Sequence, residues 1–409
     1  MGSKIKGNTD ISEDSVFKTG SFTINHKSLN VPSQAFDAKK LYDCKLDFKP
    51  SAVKVCEGFI TYDKDRLNKL KEFPVKDAEE QRKLKLWKDS KGNEDSVKFL
   101  FVRYLGREYP NSEEIKRMIN NSYSFSDATP LPILSDIFKE NITRQKRNGA
   151  MVTELKPRVT DEKLSKYFDF LKNYIKILND HNHKDILGAI PINIGTLNVA
   201  KLMEFYYNQG IENFYLDLNT AAFNRIIESP LMHGILVELK GLGLEYNKTF
   251  FHSINGSSGH FAKDDTVIGG KDILTAAVGI DCVGRLHIGG GGGSPGLIDP
   301  RILEKIKLGR IRLFNKDDYG YYKLTSKQIP FKLPSDTVIK SDSMTNISHG
   351  KKFSDVFNME QLNFESQELN QILKEDLKPI STIRKAKRKA SANDLNAIER
   401  FTKKIKSLL

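Results

Sequence analysis

The sequence predicts an α/β fold, a TIM-like βα-barrel, with a β-hairpin before it and a basic helical extension after it. Two observations between Asp185 and Gly296 predict it. Short apolar runs alternate with segments of helical period, and the last run ends in a glycine tract. Such alternation marks βα units around a parallel sheet, either a barrel or a doubly wound sheet. In both, ligands sit at the carboxyl-terminal ends of the strands.

The runs are 185–194, 211–218, 249–255 and 279–288, and the helical segments between them are 197–209, 223–239 and 272–278. Gly210, Gly241 and Gly279 stand where helices should stop. Upstream, Phe17–Ile24 and Ser28–Val31 read as a hairpin turning at Asn25-His26-Lys27. Val97–Leu105 reads as a strand, and 111–119 as a helix capped by Ser112. Tyr123–Ile133 reads as a loop because of its two prolines. Thr160 caps a helix to Leu178 whose apolar stripe includes Leu164, Tyr167, Leu171 and Tyr174. The resulting division is a disordered stretch over 1–15 and a barrel over 16–330 with a charged helical insertion near 63–95. A linker over 331–352 and a helical basic region over 353–409 follow.

Composition narrows the function classes. No apolar run is long enough to span a bilayer, and the first residues lack the apolar core of a secretory signal. Three scattered cysteines, Cys44, Cys56 and Cys282, form neither a disulfide framework nor a zinc pattern, and fit a reducing, cytoplasmic setting. A net charge of +13 favours polyanionic partners. A lysine-rich proteome is the plainer source of that charge.

Four groups of residues are candidates for chemistry. The run 289–293, with Gly289, Gly290 and Gly291 at its start, exposes backbone N–H groups to an anion. It lacks the spacing of a nucleotide-binding fingerprint. Asp127, Asp217 and Asp281 lie in or beside apolar strands, where a carboxylate needs a partner or a task. The plainer account of each is a cap, a turn or a salt bridge. His252, His260 and His287 lie on strands or in the loops after them, as acid–base or substrate groups, although a lone strand histidine is more often core. Arg384, Lys385, Lys387, Arg388 and Lys389 form a basic cluster for sequence-independent phosphate contact. No metal-ligand spacing is present.

Three segments resemble the tRNA-guanine transglycosylase superfamily, above all its archaeal-type and DNA-acting members. The opening 17–22 leading to Val31-Pro32-Ser33 looks like that family's hairpin and the strand after it. Ser126-Asp127-Ala128-Thr129 is similar to its Asp-Ser-Gly-Gly segment. Ala276-Ala277-Val278-Gly279-Ile280-Asp281 looks like the helix leading to its nucleophilic aspartate. The resemblance covers about 16–300 and implies a βα-barrel exchanging guanine for a 7-deazaguanine base in DNA or tRNA. Asp281 would be the nucleophile that forms a covalent sugar intermediate, and Asp127 the acid or base-reader. Asp217, His252, His287 and the glycines would line the substrate site.

The sequence departs from the family in three ways. Ala128-Thr129-Pro130-Leu131 replaces Ser-Gly-Gly-Phe, a single aspartate remains at 281, and the zinc cluster is absent, so no cofactor is expected. A small-metabolite barrel enzyme and a non-catalytic nucleic-acid-binding barrel stand as alternatives.

Overall fold

The computed structural model describes residues 5–44, 53–72, 95–106, 108–123, 126–134, 137–145, 151–181, 184–222, 226, 230–257, 265–287, 311–325, 328–329, 333–345, 350–375 and 378–407. It opens with β1 (Lys6–Ile11), β2 (Lys18–Ile24) and β3 (Lys27–Val31) in one antiparallel sheet. The hairpin turns on Asn25 and His26, both with positive φ (47° and 65°), the geometry of a two-residue turn that follows strand twist. β1 falls in the stretch expected to be disordered. It is ordered because β2 pairs with it along its length and Thr9 Oγ1 donates to the Asn247 carbonyl at 2.6 Å.

Eight parallel strands follow: β4 (Ser33–Asp37), β5 (Val55–Tyr62), β6 (Val97–Tyr104), β7 (Thr129–Pro130), β10 (Ile186–Pro191), β11 (Asn213–Asp217), β12 (Phe251–Ile254) and β14 (Cys282–Val283). They neighbour one another in chain order, and β14 returns to pair with β4. Isolated parallel bridges Phe99–Ala128 and Arg103–Ile133 bring the two edge strands together. The sheet is thus nearly closed into a barrel, as expected.

β7 lies in the stretch read as a loop. Thr129 and Leu131 donate to the β10 side, at Asp185 and Leu187. The donor that Pro130 lacks falls on the β6 side, where pairing shrinks to the two bridges.

Between β7 and β10 the chain forms an antiparallel ribbon, β8 (Lys139–Gln145) and β9 (Met151–Pro157), which pairs with no other described strand. A third small sheet joins β13 (Val267–Gly269), β15 (Ile311–Asn315) and β16 (Gly320–Leu324).

The described helices are α1 (Ala38–Cys44), α2 (Lys64–Glu72), α3 (Ser112–Ser122), α4 (Asp161–His181), α5 (Thr196–Asn208), α6 (Pro230–Gly241), α7 (Ser341–Thr345), α8 (Gly350–Glu375), α9 (Pro379–Ala386) and α10 (Ala392–Ile405). α3 is capped by Asn111 rather than Ser112. The Asn111 side chain accepts from Glu114 N, and the Glu114 carboxylate accepts from Asn111 N.

Between β12 and β14 the described helical structure is a 3₁₀ segment, Ile273–Val278, and α10 packs over it and over α6. α8 lies against β4, α1 and the hairpin, covering the seam where the last strand meets the first. No described helix is long and apolar enough to cross a membrane. Most of the charged insertion, 73–94, lies outside the described residues.

Candidate functional site at the barrel mouth

The two ends of the barrel hold different chemistry. The hairpin closes the amino-terminal end. Lys18 enters it buried, 2.8 Å from Asp281 Oδ2, and donates to the Thr249 carbonyl at 2.5 Å. The Tyr246 ring lies under its ammonium at 4.1 Å. Asp281 also accepts from Phe251 N at 2.7 Å. Burial pulls the Lys18 pKa down and the Asp281 pKa up, as for any ion pair taken out of water, while each partner opposes the change. Asp127 lies at the same end. It accepts from Asn25 Nδ2 and Lys27 Nζ, each at 2.8 Å, and from Lys98 N at 2.7 Å. The turn of the hairpin is therefore tied to Asp127 and its first arm to Asp281.

Asp217 ends β11 at the opposite end, the mouth. The structure therefore does not bring the three aspartates to one rim. One is at the mouth, and two are bound by the element that closes the far end.

A different group converges at the mouth. Glu57, third residue of β5, is fully buried and faces across the barrel to His252 on β12. Its Oε2 lies 3.0 Å from His252 Nε2 and its Oε1 2.8 Å from His287 Nε2. Oε1 also accepts from Arg285 N. Burial pushes the Glu57 carboxyl up, but the His287 charge and the hydrogen bonds from both imidazoles outweigh it and hold the pKa at about 2. Burial lowers His287 in turn, and the Glu57 charge, its hydrogen bond and Asp37 raise it above its ordinary 6.5.

An ionised carboxylate only accepts, so both Nε2 atoms donate. His252 Nδ1 is buried without a hydrogen-bond partner among the described residues, and the His252 ring stacks on Phe101 with centroids 5.1 Å apart. Gly284 makes room for this pair. A Cβ there would stand 2.5 Å from Glu57 Oε2 and 2.9 Å from His252 Nε2.

Three further contacts fix His287. Its ring stacks on Phe59 with centroids 5.1 Å apart. Its Nδ1 is 3.7 Å from Asp37 Oδ2, and its backbone N–H donates to Asn255 Oδ1 at 3.1 Å. Asn255 Nδ2 donates to Asp217 Oδ1 at 2.8 Å. Arg285 is held by the Ala35 carbonyl at 2.6 Å and Gln34 Oε1 at 3.0 Å.

The backbone at this rim is strained. Asn219, Thr220 and Asn255 all have positive φ, and Thr220, a β-branched residue, sits at 69°. Strain of this kind gathers at functional sites.

Of the predicted residues, Asp217, His252 and His287 belong to this one network. Glu57, Asn255, Arg285 and Asp37 were not singled out. The rule that flagged Asp281, a carboxylate inside an apolar strand, applies equally to Val55-Cys56-Glu57-Gly58-Phe59-Ile60. Gly289, Gly290, Gly291 and His260 lie outside the described residues.

The basic cluster is partly internal. Arg384 pairs with Glu399 at 2.8 Å, and Lys387 with Glu365 at 3.0 Å over the Tyr319 ring. Lys385, Arg388 and Lys389 are exposed. Among the described residues, no three His, Cys, Asp or Glu side chains are arranged to hold a metal. A cavity of about 240 Å³ lined by Phe314, Tyr322, Leu333 and Gln361 shares no residue with the mouth. No protein-family model matches the chain, and no curated protein is similar to it in sequence.

Proposed function

We propose that the chain is a βα-barrel enzyme that breaks and remakes the bond between a guanine base and its sugar in a polynucleotide, with proton transfer run by His287 against Glu57. The observation that carries this reading is the buried Glu57 carboxylate, held ionised between two imidazoles at the mouth. That is the end of a barrel where ligands bind.

A departing guanine needs a proton, and His287, with its pKa raised by Glu57, is suited to supply it. The base-exchange chemistry comes from the transglycosylase resemblance. A carboxylate oxygen bonds to the sugar carbon as the bond to the base breaks, and the proton goes to the leaving base. The incoming 7-deazaguanine reverses the step and returns the proton. The resemblance assigns the attack to Asp281, whose carboxylate is taken up by Lys18. At the mouth, Asp217 is the candidate in its place. DNA is placed ahead of tRNA because the departures at 128–131 and after Asp281 are compatible with a divergent, DNA-acting relative.

A second reading, a barrel enzyme for a small phosphorylated metabolite, draws on the glycine run that begins two residues after His287.

The test is incorporation of labelled guanine into guanine-containing DNA and tRNA. The wild type should incorporate label, His287→Ala should lose it, and a folded Asp281→Asn should retain it. Absence of incorporation into either polynucleotide by the wild type overturns the reading. Loss in Asp281→Asn with normal folding returns the nucleophile to Asp281.

A further inference from the structure

Basic residues that the mouth does not use gather on one surface. Residues 378–407 carry ten Lys and Arg against two acids, a net +8 of the chain's +13. They form α9, the turn after it and α10. The excess is local, whereas a lysine-rich proteome would spread it along the chain.

The fold holds that charge in a fixed arrangement. Asp14 accepts from Ile380 N and Ser381 N, at 3.3 and 3.0 Å, where α9 begins. The turn is tied to the third small sheet. Lys389 N donates to the Asp318 carbonyl and Lys387 Nζ to the Lys316 carbonyl, each at 2.7 Å. Ser391 caps α10, accepting from Asp394 N at 3.3 Å. Arg384 spans the two helices, donating to Asn396 Oδ1 at 3.1 Å and Glu399 Oε1 at 2.8 Å.

α10 buries one face, with Leu395, Ile398, Phe401 and Ile405 packed over α6 and the 3₁₀ segment. At about 3.6 residues per turn, Arg400, Lys403 and Lys404 lie on the opposite face, and all three are exposed. The reach of Arg384 places the end of α9 against the outer side of α10, so the exposed Lys385, Arg388 and Lys389 continue that face. None of these six cations makes an ion pair among the described residues. α10 has 14 residues, and at about 1.5 Å each it is about 21 Å long. Duplex DNA carries a charge for about every 1.7 Å of its axis, so that length faces several phosphates.

The surface fits a nucleic-acid backbone better than a bilayer. A helix that lies in a membrane interface needs its apolar face free, and that of α10 is packed on the barrel. The exposed residues of α9 and α10 include no aromatic ring to stack on a base. Phosphate contact of this kind positions a duplex without reading its sequence.

We propose that α9, the turn after it and the outward face of α10 form a surface that binds the phosphate backbone of duplex DNA along the flank of the barrel. It rests on the polynucleotide reading above and is independent of the exchange chemistry. Lys385, Arg388, Lys389, Arg400, Lys403 and Lys404 supply the cations, while Arg384 and Lys387 hold the frame.

The experiment is fluorescence anisotropy of the full-length protein with labelled duplex DNA of two unrelated sequences, between about 50 and 200 mM salt. The wild type should bind both alike, with affinity falling steeply as salt rises. Arg400→Glu/Lys403→Glu/Lys404→Glu should bind about tenfold or more weaker, with the log–log slope reduced by about 2 to 3. Lys385→Glu/Arg388→Glu/Lys389→Glu should do the same. Both should melt near the wild type, because the altered side chains are exposed. Lys166→Glu/Lys172→Glu/Lys176→Glu makes the same charge change on exposed positions of α4, which packs on α3 and α5. It should bind within about twofold of the wild type, because salt screens charges so far from the surface. Equal affinity and slope in the wild type and either folded surface variant overturns the proposal. Equal weakening in the α4 variant does so too, since net charge alone then explains the binding. So does the absence of salt-dependent binding in the wild type, or tighter binding to vesicles of equal parts phosphatidylserine and phosphatidylcholine than to DNA. Salt-dependent binding without guanine incorporation keeps the surface and removes the exchange chemistry.

Discussion

Replacing Glu57 by Gln keeps the shape of the side chain and removes the charge between His252 and His287. Two routes give the cost. Moving a carboxyl from 4.5 to about 2 corresponds to about 3 kcal/mol of preferential stabilisation of its charged form. Removing one partner from a buried charge pair costs about 3–5 kcal/mol in general. The sign with pH follows from the two groups. Glu57 is depressed in the folded chain, so its contribution is full above 4.5 and is lost as pH falls through about 2. His287 is raised, so its contribution is full below 6.5 and is lost as pH rises through its folded value. The pair is strongest between those limits. Urea denaturation should therefore show Glu57→Gln less stable by about 3 kcal/mol near pH 5.5, with the gap narrowing by pH 9. NMR titration of the histidine ring should place His287 above 6.5 in the wild type and lower in the variant. A loss under about 1 kcal/mol, flat from pH 5 to 9, would refute the reasoning.

Three further outcomes are expected. Gly284→Ala should destabilise by about 1–3 kcal/mol by thermal melting, because its Cβ has no room beside Glu57 and His252; a neutral result means the pair is not packed as described. Lys18→Met should cost about 3–5 kcal/mol in urea, and Lys18→Met/Asp281→Asn should recover most of it. A near-neutral Lys18→Met shows that the ion pair does not hold the hairpin in place. Thr220→Gly should relieve about 1–2 kcal/mol of left-handed strain against about 0.5–1 kcal/mol of added chain entropy, a net gain of about 0–1.5 kcal/mol. A melting temperature below the wild type would contradict it.

The legible features were those carried by local pattern. Alternation from 185 to 288 gave the later barrel strands, Asn25-His26 the hairpin turn, and the stripe from Leu164 to Leu178 the long helix α4. Features that depend on distant partners were hidden. β7 is two residues long and is a strand only because β10 on one side and β6 on the other receive it. The cap of α3 moved by one residue because a capping box with Glu114 at N3 requires Asn111.

The sequence by itself determined βα units around a parallel sheet with a hairpin before them, because side-chain period and turn residues act within a few positions of one another. Only the tertiary structure decided which end of the barrel each acid occupies. A carboxylate in an apolar strand announces a need for a partner but not its height along the barrel. That height depends on the register between strands far apart in the chain. Register set Asp281 level with the first residue of β12, within reach of Lys18, and Glu57 level with Asp37, where His252 and His287 meet it.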